Sequence, residues 1–263
     1  MQMVIDIHTH TSIKDAVFNQ GDLADAKRMA AHSGIDRIVH LFNLSTGGRD
    51  PSRQDVQTSN NLAMQLVAAA PDFYMGFCYL NPANGADFCL EEMERCIVRG
   101  NLRGVKLWVA VHATDKRLDP IMERAAQLKI PVLHHSWYKG TEWAYNESSP
   151  VEIADLARRH PQTTIIMAHL AGVGWRGVLD VKECPNVCID TSGGQPEAGL
   201  VEYAVKELGA ERVLFGSDWP LRDFAVQKAR ITGSAITPEQ KELILGGNAA
   251  RILKLQKGAG RHV

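Results

Sequence analysis

Short apolar runs alternate along the chain with longer amphipathic segments. Such alternation is typical of β-strands that are each followed by a helix and that pair as a parallel sheet. Eight runs have the length and composition of strands: Val4–Ile7, Ile35–Leu41, Phe73–Leu80, Arg103–Trp108, Pro131–His135, Thr163–Ala168, Val187–Asp190 and Arg212–Gly216. Eight such units predict an α/β fold of the (β/α)₈ TIM-barrel type. Beyond them, Asp223–Ile231 and Thr237–Leu255 have helical patterns, and the second predicts an additional C-terminal helix.

Two polar stretches follow predicted strands and are long enough to form functional loops, Asn43–Asn61 and Ser136–Ser149. Loops that leave the C-terminal ends of the strands surround the active site in such a barrel. The second stretch contains the aromatic residues Trp137, Tyr138, Trp143 and Tyr145. These side chains either line a substrate pocket or cover the mouth of the barrel, and Trp137 is our candidate substrate contact.

Length and composition favour one barrel domain over residues 1–263. Hydrophobic residues make up 45% of the chain and charged residues 22%, so a large core can be buried. A net charge of -1 without a basic run argues against nucleic acid as a partner. No apolar run is long enough for a membrane span, and no basic segment followed by an apolar stretch opens the chain. With five cysteines and no CxxC pair, we expect reduced thiols and a cytoplasmic protein.

Two histidines end the first predicted strand, in the segment Asp6-Ile7-His8-Thr9-His10. Because side chains alternate along a strand, His8 and His10 are expected to point to the same side. Imidazoles at this spacing can bind one metal ion. An isolated pair of this kind is more often found on a surface, so the interpretation depends on the rest of the chain.

Polar residues also end three other predicted strands. His134 and His135 end the fifth, but they face opposite sides and only one of them can reach a shared metal. His169 follows the sixth strand, and Asp218 follows the eighth. The C-terminal ends of the strands meet at one face of a barrel. These coincidences therefore predict a metal site at that face, although a single histidine there would indicate a structural role.

The same segments resemble a known family, the amidohydrolase superfamily, and within it amidohydrolase family 2. The motifs, in the expected order and spacing, are DIHTH, GVKLW, PVLHHS, IIMAHLAG, NVCIDTSG, VLFGSDWP and LILGGNAARILKL. The resemblance covers almost the whole chain and implies a (β/α)₈ barrel with one divalent metal ion, commonly zinc. The ligands that it implies are His8, His10, His135 and Asp218. It selects His135 over His134 because the family's histidine falls four residues after the proline.

The resemblance also implies the catalytic roles. Neutral imidazoles and a carboxylate suit zinc, with an open position for a water whose pKa falls to about 7. Asp218 would accept the proton of this water, and His169 would act as an acid/base or stabilise charge on the substrate. Lys106 and Asp190 are further candidate substrate contacts.

Lys106, in GVKLW, leaves a second metal arrangement open. Binuclear members of the superfamily bridge two metals through a carbamylated lysine on the fourth strand, and His169 would then be a ligand as well. In members that use one metal, a lysine in this stretch instead contacts an anionic group of the substrate. We expect the single-metal arrangement.

Two reactions on a small-molecule substrate are compatible with these residues. The first is hydrolysis of an amide, lactone or ester, and the second is non-oxidative decarboxylation of a small aromatic or unsaturated carboxylic acid. Decarboxylase relatives tend to be longer, so the compact chain favours a hydrolase. A metal-cluster phosphoesterase and a non-catalytic barrel are further alternatives, but the GSDWP and NAAR segments and the complete ligand set argue against them. The sequence leaves open whether the protein forms a homo-oligomer.

Overall fold

The computed structural model describes residues 3–138, 146–194 and 197–255. Its strands are β1 (Ile5–Thr11), β2 (Arg37–Asn43), β3 (Tyr74–Gly76), β4 (Cys78–Leu80), β5 (Val105–Leu107), β6 (Val132–His134), β7 (Ile165–Met167), β8 (Val187–Asp190) and β9 (Val213–Leu214). Its helices are α1 (Gln20–His32), α2 (Arg53–Ala69), α3 (Ala86–Met93), α4 (Asp119–Leu128), α5 (Pro150–Arg159), α6 (Leu170–Asp180), α7 (Leu200–Leu208), α8 (Phe224–Thr232), α9 (Pro238–Glu242) and α10 (Asn248–Ile252).

The strands form a closed parallel barrel. They pair in chain order, β1 to β3 and β4 to β9, and the backbone N–H of Ile7 donates to the Phe215 carbonyl at 2.9 Å to close the ring. The predicted third strand is divided at Phe77, whose N–H still bonds to β2, whereas the N–H of Cys78 bonds to the Gly104 carbonyl beside β5. The (β/α)₈ fold is thus confirmed, with its third strand in two segments.

Two apolar layers hold the barrel together. Alternate strand residues, among them Ile7, Leu41, Leu133 and Ile166, fill the interior, while their neighbours pack under the helices. This follows from a parallel sheet that is buried on both faces. None of the helices in the described ranges is long and apolar enough to cross a membrane.

The additional C-terminal helix is confirmed. α9 continues through a π-helical turn, Leu243–Gly247, into α10. The Asn248 side chain donates to the carbonyls of Ala210 and Val213 at 2.7 and 2.8 Å, and this fixes the helix against β9. A Cβ at Gly246 would lie 1.9 Å from the Met3 carbonyl oxygen, so the close approach to the start of β1 requires glycine.

The two predicted loops differ from expectation in length. The polar stretch Asn43–Asn61 is a loop only as far as Ser52, because Ser52 and Asp55 form a capping box that starts α2. Of the stretch Ser136–Ser149, the structure describes residues 136–138 and 146–149. Trp143 and Tyr145 lie outside the described residues.

Candidate metal centre and active-site pocket

The histidines of β1 reach the centre of the barrel because this strand is irregular. Ile7 points into the barrel, so strict alternation would send His8 to the opposite side. The pairing of β1 with β2 shifts in register between Asp6 and Thr9, and a bulge of this kind re-aims side chains. As a result, the Nε2 atoms of His8 and His10 lie 3.2 Å apart.

Asp218 joins these histidines and completes what we call the three-donor cluster. Its Oδ1 lies 3.6 Å from Nε2 of His8 and 3.5 Å from Nε2 of His10. Donor atoms around a tetrahedral zinc ion are about 3.3–3.5 Å apart, given the usual metal–ligand bond lengths. The spacing therefore fits one shared cation. Asp218 also has a positive φ of 69°, a strained conformation that is concentrated at functional sites.

Hydrogen bonds on the far side of each ring select the nitrogen that faces the cluster. His8 Nδ1 donates to Asp190 Oδ2 at 2.8 Å, and His10 Nδ1 donates to the Phe42 carbonyl at 3.3 Å. Each Nε2 therefore carries a lone pair, since a neutral imidazole has a single N–H. Burial lowers the pKa of both histidines and favours this neutral form. Lone pairs that face each other and a carboxylate are the donor set of a metal ion.

The Asp6 side chain connects the backbone segments that carry His8 and Asp218. Its Oδ1 accepts hydrogen bonds from the backbone N–H groups of His8 and Ser217, both at 3.0 Å. Burial raises the pKa of this carboxyl to about 7. The side chain thus fixes the ends of β1 and β9, next to His8 and Asp218.

β6 alternates regularly and directs its two histidines to opposite sides. His135 follows the inward Leu133 and lines the pocket, whereas Nδ1 of the buried His134 donates to the His135 carbonyl at 2.7 Å. His135 Nε2 lies 3.0 Å from Glu147 Oε1, and its Nδ1 lies 3.1 Å from His169 Nε2. The predicted fourth ligand is therefore beside the three-donor cluster. Within the described residues, it joins neither group of donor atoms close enough to share an ion.

His169 reaches the pocket through an unusual backbone conformation. It would continue the alternation of β7 and point outward with Met167, but its φ of 71° turns the ring inward. Its ring centroid lies 4.8 Å from the rings of both His8 and His135. Burial again lowers the pKa of this imidazole. We refer to His135 and His169 as the histidine pair.

Asp190, which the sequence predicts as a substrate contact, lies behind the ring of His8 and is not among the described residues that line the pocket. Its side chain is completely buried. Besides the bond from His8 Nδ1, its carboxylate accepts the backbone N–H groups of His169 at 3.1 Å and Ser192 at 2.9 Å. All of these donors are protein groups, so the carboxylate is hydrogen-bonded without a ligand. The geometry therefore favours an orienting role behind His8.

Lys106 is a buried cation that lines the same pocket as these groups. It points into the barrel because its neighbours Val105 and Leu107 pack in the outer layer, and it is only 1% exposed. Burial lowers the pKa of its ammonium to about 8, although the carboxylates of Asp190 and Asp218 act in the opposite direction. A buried amine at the pocket wall suits an anionic group of a ligand.

A cavity of about 740 Å³ opens above these residues. Its polar floor consists of His8, His10, Lys106, His135, His169 and Asp218, and its aromatic wall of Phe42, Trp108, Trp137 and Tyr138. Trp137 lies parallel to His135, with an interplanar angle of 11°. A Cβ at Gly172 would lie 2.4 Å from the Trp137 ring, so glycine leaves the space that the indole fills. A volume of this size, with an aromatic wall, suits a small organic molecule.

Two residues near the chemistry were not predicted individually. Glu147 lines the pocket and contacts His135, and Ser192 lies behind the rings of His8 and His169. Both belong to loops, where neither periodicity nor spacing indicates which polar side chain turns inward. No signal in the sequence distinguishes Glu147 from an ordinary surface carboxylate.

Comparison with known proteins agrees with this architecture. The gamma-resorcylate decarboxylase of Polaromonas sp. strain JS666 is 24% identical over 294 aligned positions, which cover 90% of this chain and 89% of that protein. A crystal structure of 2,6-dihydroxybenzoate decarboxylase complexed with 2,6-dihydroxybenzoate has a TM-score of 0.77 at 20% identity, covering 97% of this chain and 99% of that chain.

A third relative contains a metal. The dihydroxybenzoic acid decarboxylase from Polaromonas sp. JS666, with bound manganese and 2-nitroresorcinol, has a TM-score of 0.77 at 18% identity and 100% coverage of both chains. The family model described as Amidohydrolase matches residues 5–255. This match spans nearly the whole chain, including every residue of the polar floor. The chain therefore belongs to the amidohydrolase family, as its motifs predict.

Proposed function

We propose that this protein is a metal-dependent, non-oxidative decarboxylase of a small hydroxylated aromatic carboxylic acid. The observation that carries the proposal is the pocket, which places the three-donor cluster and a buried Lys106 opposite an aromatic wall. An aromatic acid offers a flat ring for the wall and anionic oxygens for the cations. The names of the relatives support the same reaction.

The expectation of a hydrolase is corrected by these relatives, which are named decarboxylases and align over most of their length. Chain length was a poor guide to the reaction. Residues added to loops leave the barrel and the ends of its strands unchanged, so a compact chain and a longer relative can share one site.

The metal would be held by His8, His10 and Asp218, with His135 as the fourth ligand. A divalent ion bound there supplies Lewis-acid stabilisation of negative charge on the substrate. Imidazole and carboxylate donors accept several divalent ions, so zinc and manganese are both candidates. The manganese in the Polaromonas enzyme favours manganese over the zinc that the sequence predicts.

The side chains around the metal perform the remaining steps. Departure of CO₂ breaks the bond between the carboxyl carbon and a ring carbon, and the electron pair stays on that ring carbon until a proton reaches it. The lone pair on His169 Nε2 accepts the proton of a substrate hydroxyl group and delivers it to this carbon, and the phenolate oxygen that is left takes up one proton from solvent. Lys106 neutralises an anionic oxygen of the substrate, and the aromatic wall holds the ring and excludes water.

The reaction is tested with protein loaded with Mn²⁺ or Zn²⁺. The substrates are 2,6-dihydroxybenzoate, 5-carboxyvanillate, and a panel of lactones and amides. We expect CO₂ release equal to the arene formed, one deuterium in the ring when the solvent is ²H₂O, and no turnover after chelation. Hydrolysis of a lactone or amide without CO₂ release from any acid would refute the proposal.

A further inference from the structure

A chain of hydrogen bonds runs behind the pocket and connects His8 to His169. His8 Nδ1 lies 2.8 Å from Asp190 Oδ2, the Ser192 hydroxyl is hydrogen-bonded to Asp190 Oδ1, and the same hydroxyl oxygen lies 2.9 Å from His169 Nδ1. His8, Asp190 and Ser192 are completely buried, and His169 is 5% exposed. Buried polar groups in such a chain must satisfy one another.

The direction of each bond follows from the number of protons available. Four protein donors point at the Asp190 carboxylate, which acts only as an acceptor. The single proton of the Ser192 hydroxyl is therefore donated to Asp190. What Ser192 presents to His169 is an oxygen lone pair, so His169 Nδ1 must carry the N–H. Its other nitrogen, Nε2, then carries a lone pair on the pocket side of the ring, where it lies 3.1 Å from His135 Nδ1.

The loop that carries Ser192 is built tightly around the His169 ring. Gly193 has a φ of 94°, and a Cβ there would lie 2.9 Å from His169 Cβ and 3.2 Å from its Nδ1. The buried Gln227 and the guanidinium of Arg230 donate to the Gly193 and Thr191 carbonyls at 3.4 and 3.0 Å. The serine hydroxyl is thus held in a fixed position relative to Nδ1.

We propose that Ser192 is a positioning residue that fixes His169 in the Nδ1–H tautomer, so that Nε2 presents a lone pair to the substrate. The catalytic consequence rests on the proposed function, because a neutral Nε2–H could not accept the proton of a substrate hydroxyl group. The tautomer itself is independent of the reaction. Asp190 is shared by both ends of the chain, so one carboxylate orients His8 toward the metal and, through Ser192, His169 toward the substrate.

The experiment measures the tautomer directly. Protein labelled with ¹⁵N at histidine and loaded with diamagnetic Zn²⁺ is studied by long-range ¹H–¹⁵N correlation spectroscopy, with His169 assigned by comparison with His169→Gln. Wild-type protein should show a protonated Nδ1 and an unprotonated Nε2 for His169. In Ser192→Ala, a substantial Nε2–H population should appear, whereas Ser192→Thr, which keeps the hydroxyl, should retain the wild-type pattern.

Kinetics and metal content complete the test. In Ser192→Ala, kcat should fall by about tenfold, in the range for loss of an outer hydrogen-bonding partner, with KM changed by less than about twofold and the metal content unchanged. The control is Ser234→Ala, which removes another buried hydroxyl, one that donates to the Ile231 carbonyl at 2.7 Å. This variant should match wild type in spectrum and rate.

The two proposals fail in different ways. An Nε2–H tautomer for His169 in wild-type protein, or an unchanged Nδ1–H signal in Ser192→Ala, would overturn the role of Ser192 whatever the reaction is. Absence of decarboxylation with the predicted tautomer pattern intact would overturn the proposed function alone. Even if Ser192→Ala does not fold, an Nε2–H signal for His169 in the spectrum of wild-type protein overturns the role of Ser192.

Discussion

In both the three-donor cluster and the histidine pair, a hydrogen bond at one ring nitrogen leaves a lone pair on the other nitrogen. The two groups differ in where the carboxylate lies. In the cluster, Asp218 stands among the inward nitrogens and contributes negative charge to the space that they share. In the pair, Glu147 stands outside and bonds to the far nitrogen of His135, while Nδ1 of His135 and Nε2 of His169 face each other at 3.1 Å.

This difference separates two chemical capacities. Two lone pairs with a carboxylate attract a divalent cation, whereas the two neutral lone pairs of the histidine pair have no negative charge beside them to retain one. The three-donor cluster is therefore suited to metal binding, and the histidine pair to moving a proton. His135 can belong to both groups, because rotation of its ring would turn the Nδ1 lone pair toward an ion in the three-donor cluster.

The largest effect is expected from Asp218→Ala, which removes the only carboxylate of the cluster. Turnover should be abolished, and the metal content measured by mass spectrometry should fall well below one ion per chain, because only neutral imidazoles remain as ligands. Asp25→Ala, at an exposed position on α1, is the control and should retain both properties. Full metal content in Asp218→Ala would mean that the histidine pair holds the ion.

His169→Asn tests whether the histidine pair transfers a proton and does not bind a metal ion of its own. The substitution should lower turnover by about 10² or more, the usual size for a lost acid/base group, while the metal content stays near one ion per chain. Metal analysis and rate measurements on the same preparation check both statements. Two ions in wild-type protein, falling to one in this variant, would instead support a bridging carbamylated Lys106 and make His169 a ligand.

Glu147→Gln tests whether the Glu147 carboxylate orients the His135 ring. The amide oxygen can still accept a hydrogen bond, but the charge that holds Nε2–H toward the loop is lost. We expect the affinity for Mn²⁺, measured by calorimetry, and the turnover to fall by about tenfold, as is typical of an outer partner of a ligand histidine. Glu123→Gln, on the exposed face of α4, should change neither quantity.

The smallest effect on the site is expected from His134→Ala, since this side chain points away from the pocket. Its loss removes a buried group and one hydrogen bond, so the free energy of unfolding should fall by about 1–3 kcal/mol while metal content and turnover stay near wild type. His135→Ala should lower the metal content, because it removes the proposed fourth ligand. If His134→Ala lost the metal and His135→Ala kept it, the register of β6 would be off by one residue.

The sequence determined the barrel and the residues whose strands are regular. Alternating apolar and amphipathic runs are enough to predict the eight units, because a parallel sheet buried on both faces needs them. Lys106 and His135 also follow from alternation, since Val105 and Leu133 identify the outward and inward faces of β5 and β6. The motifs added Asp218 and the family.

Tertiary structure decided the remaining orientations. Period-two alternation fails for His8, which a bulge in β1 turns inward, and for His169, which a left-handed backbone conformation turns inward. Glu147 and Ser192 approach the histidines from loops whose paths depend on helices packed elsewhere. A local sequence pattern encodes which face of a regular strand a residue occupies. Which irregularities the closed barrel imposes, and which loop side chains meet the rings, depend on contacts between residues as far apart as His8 and Ser192.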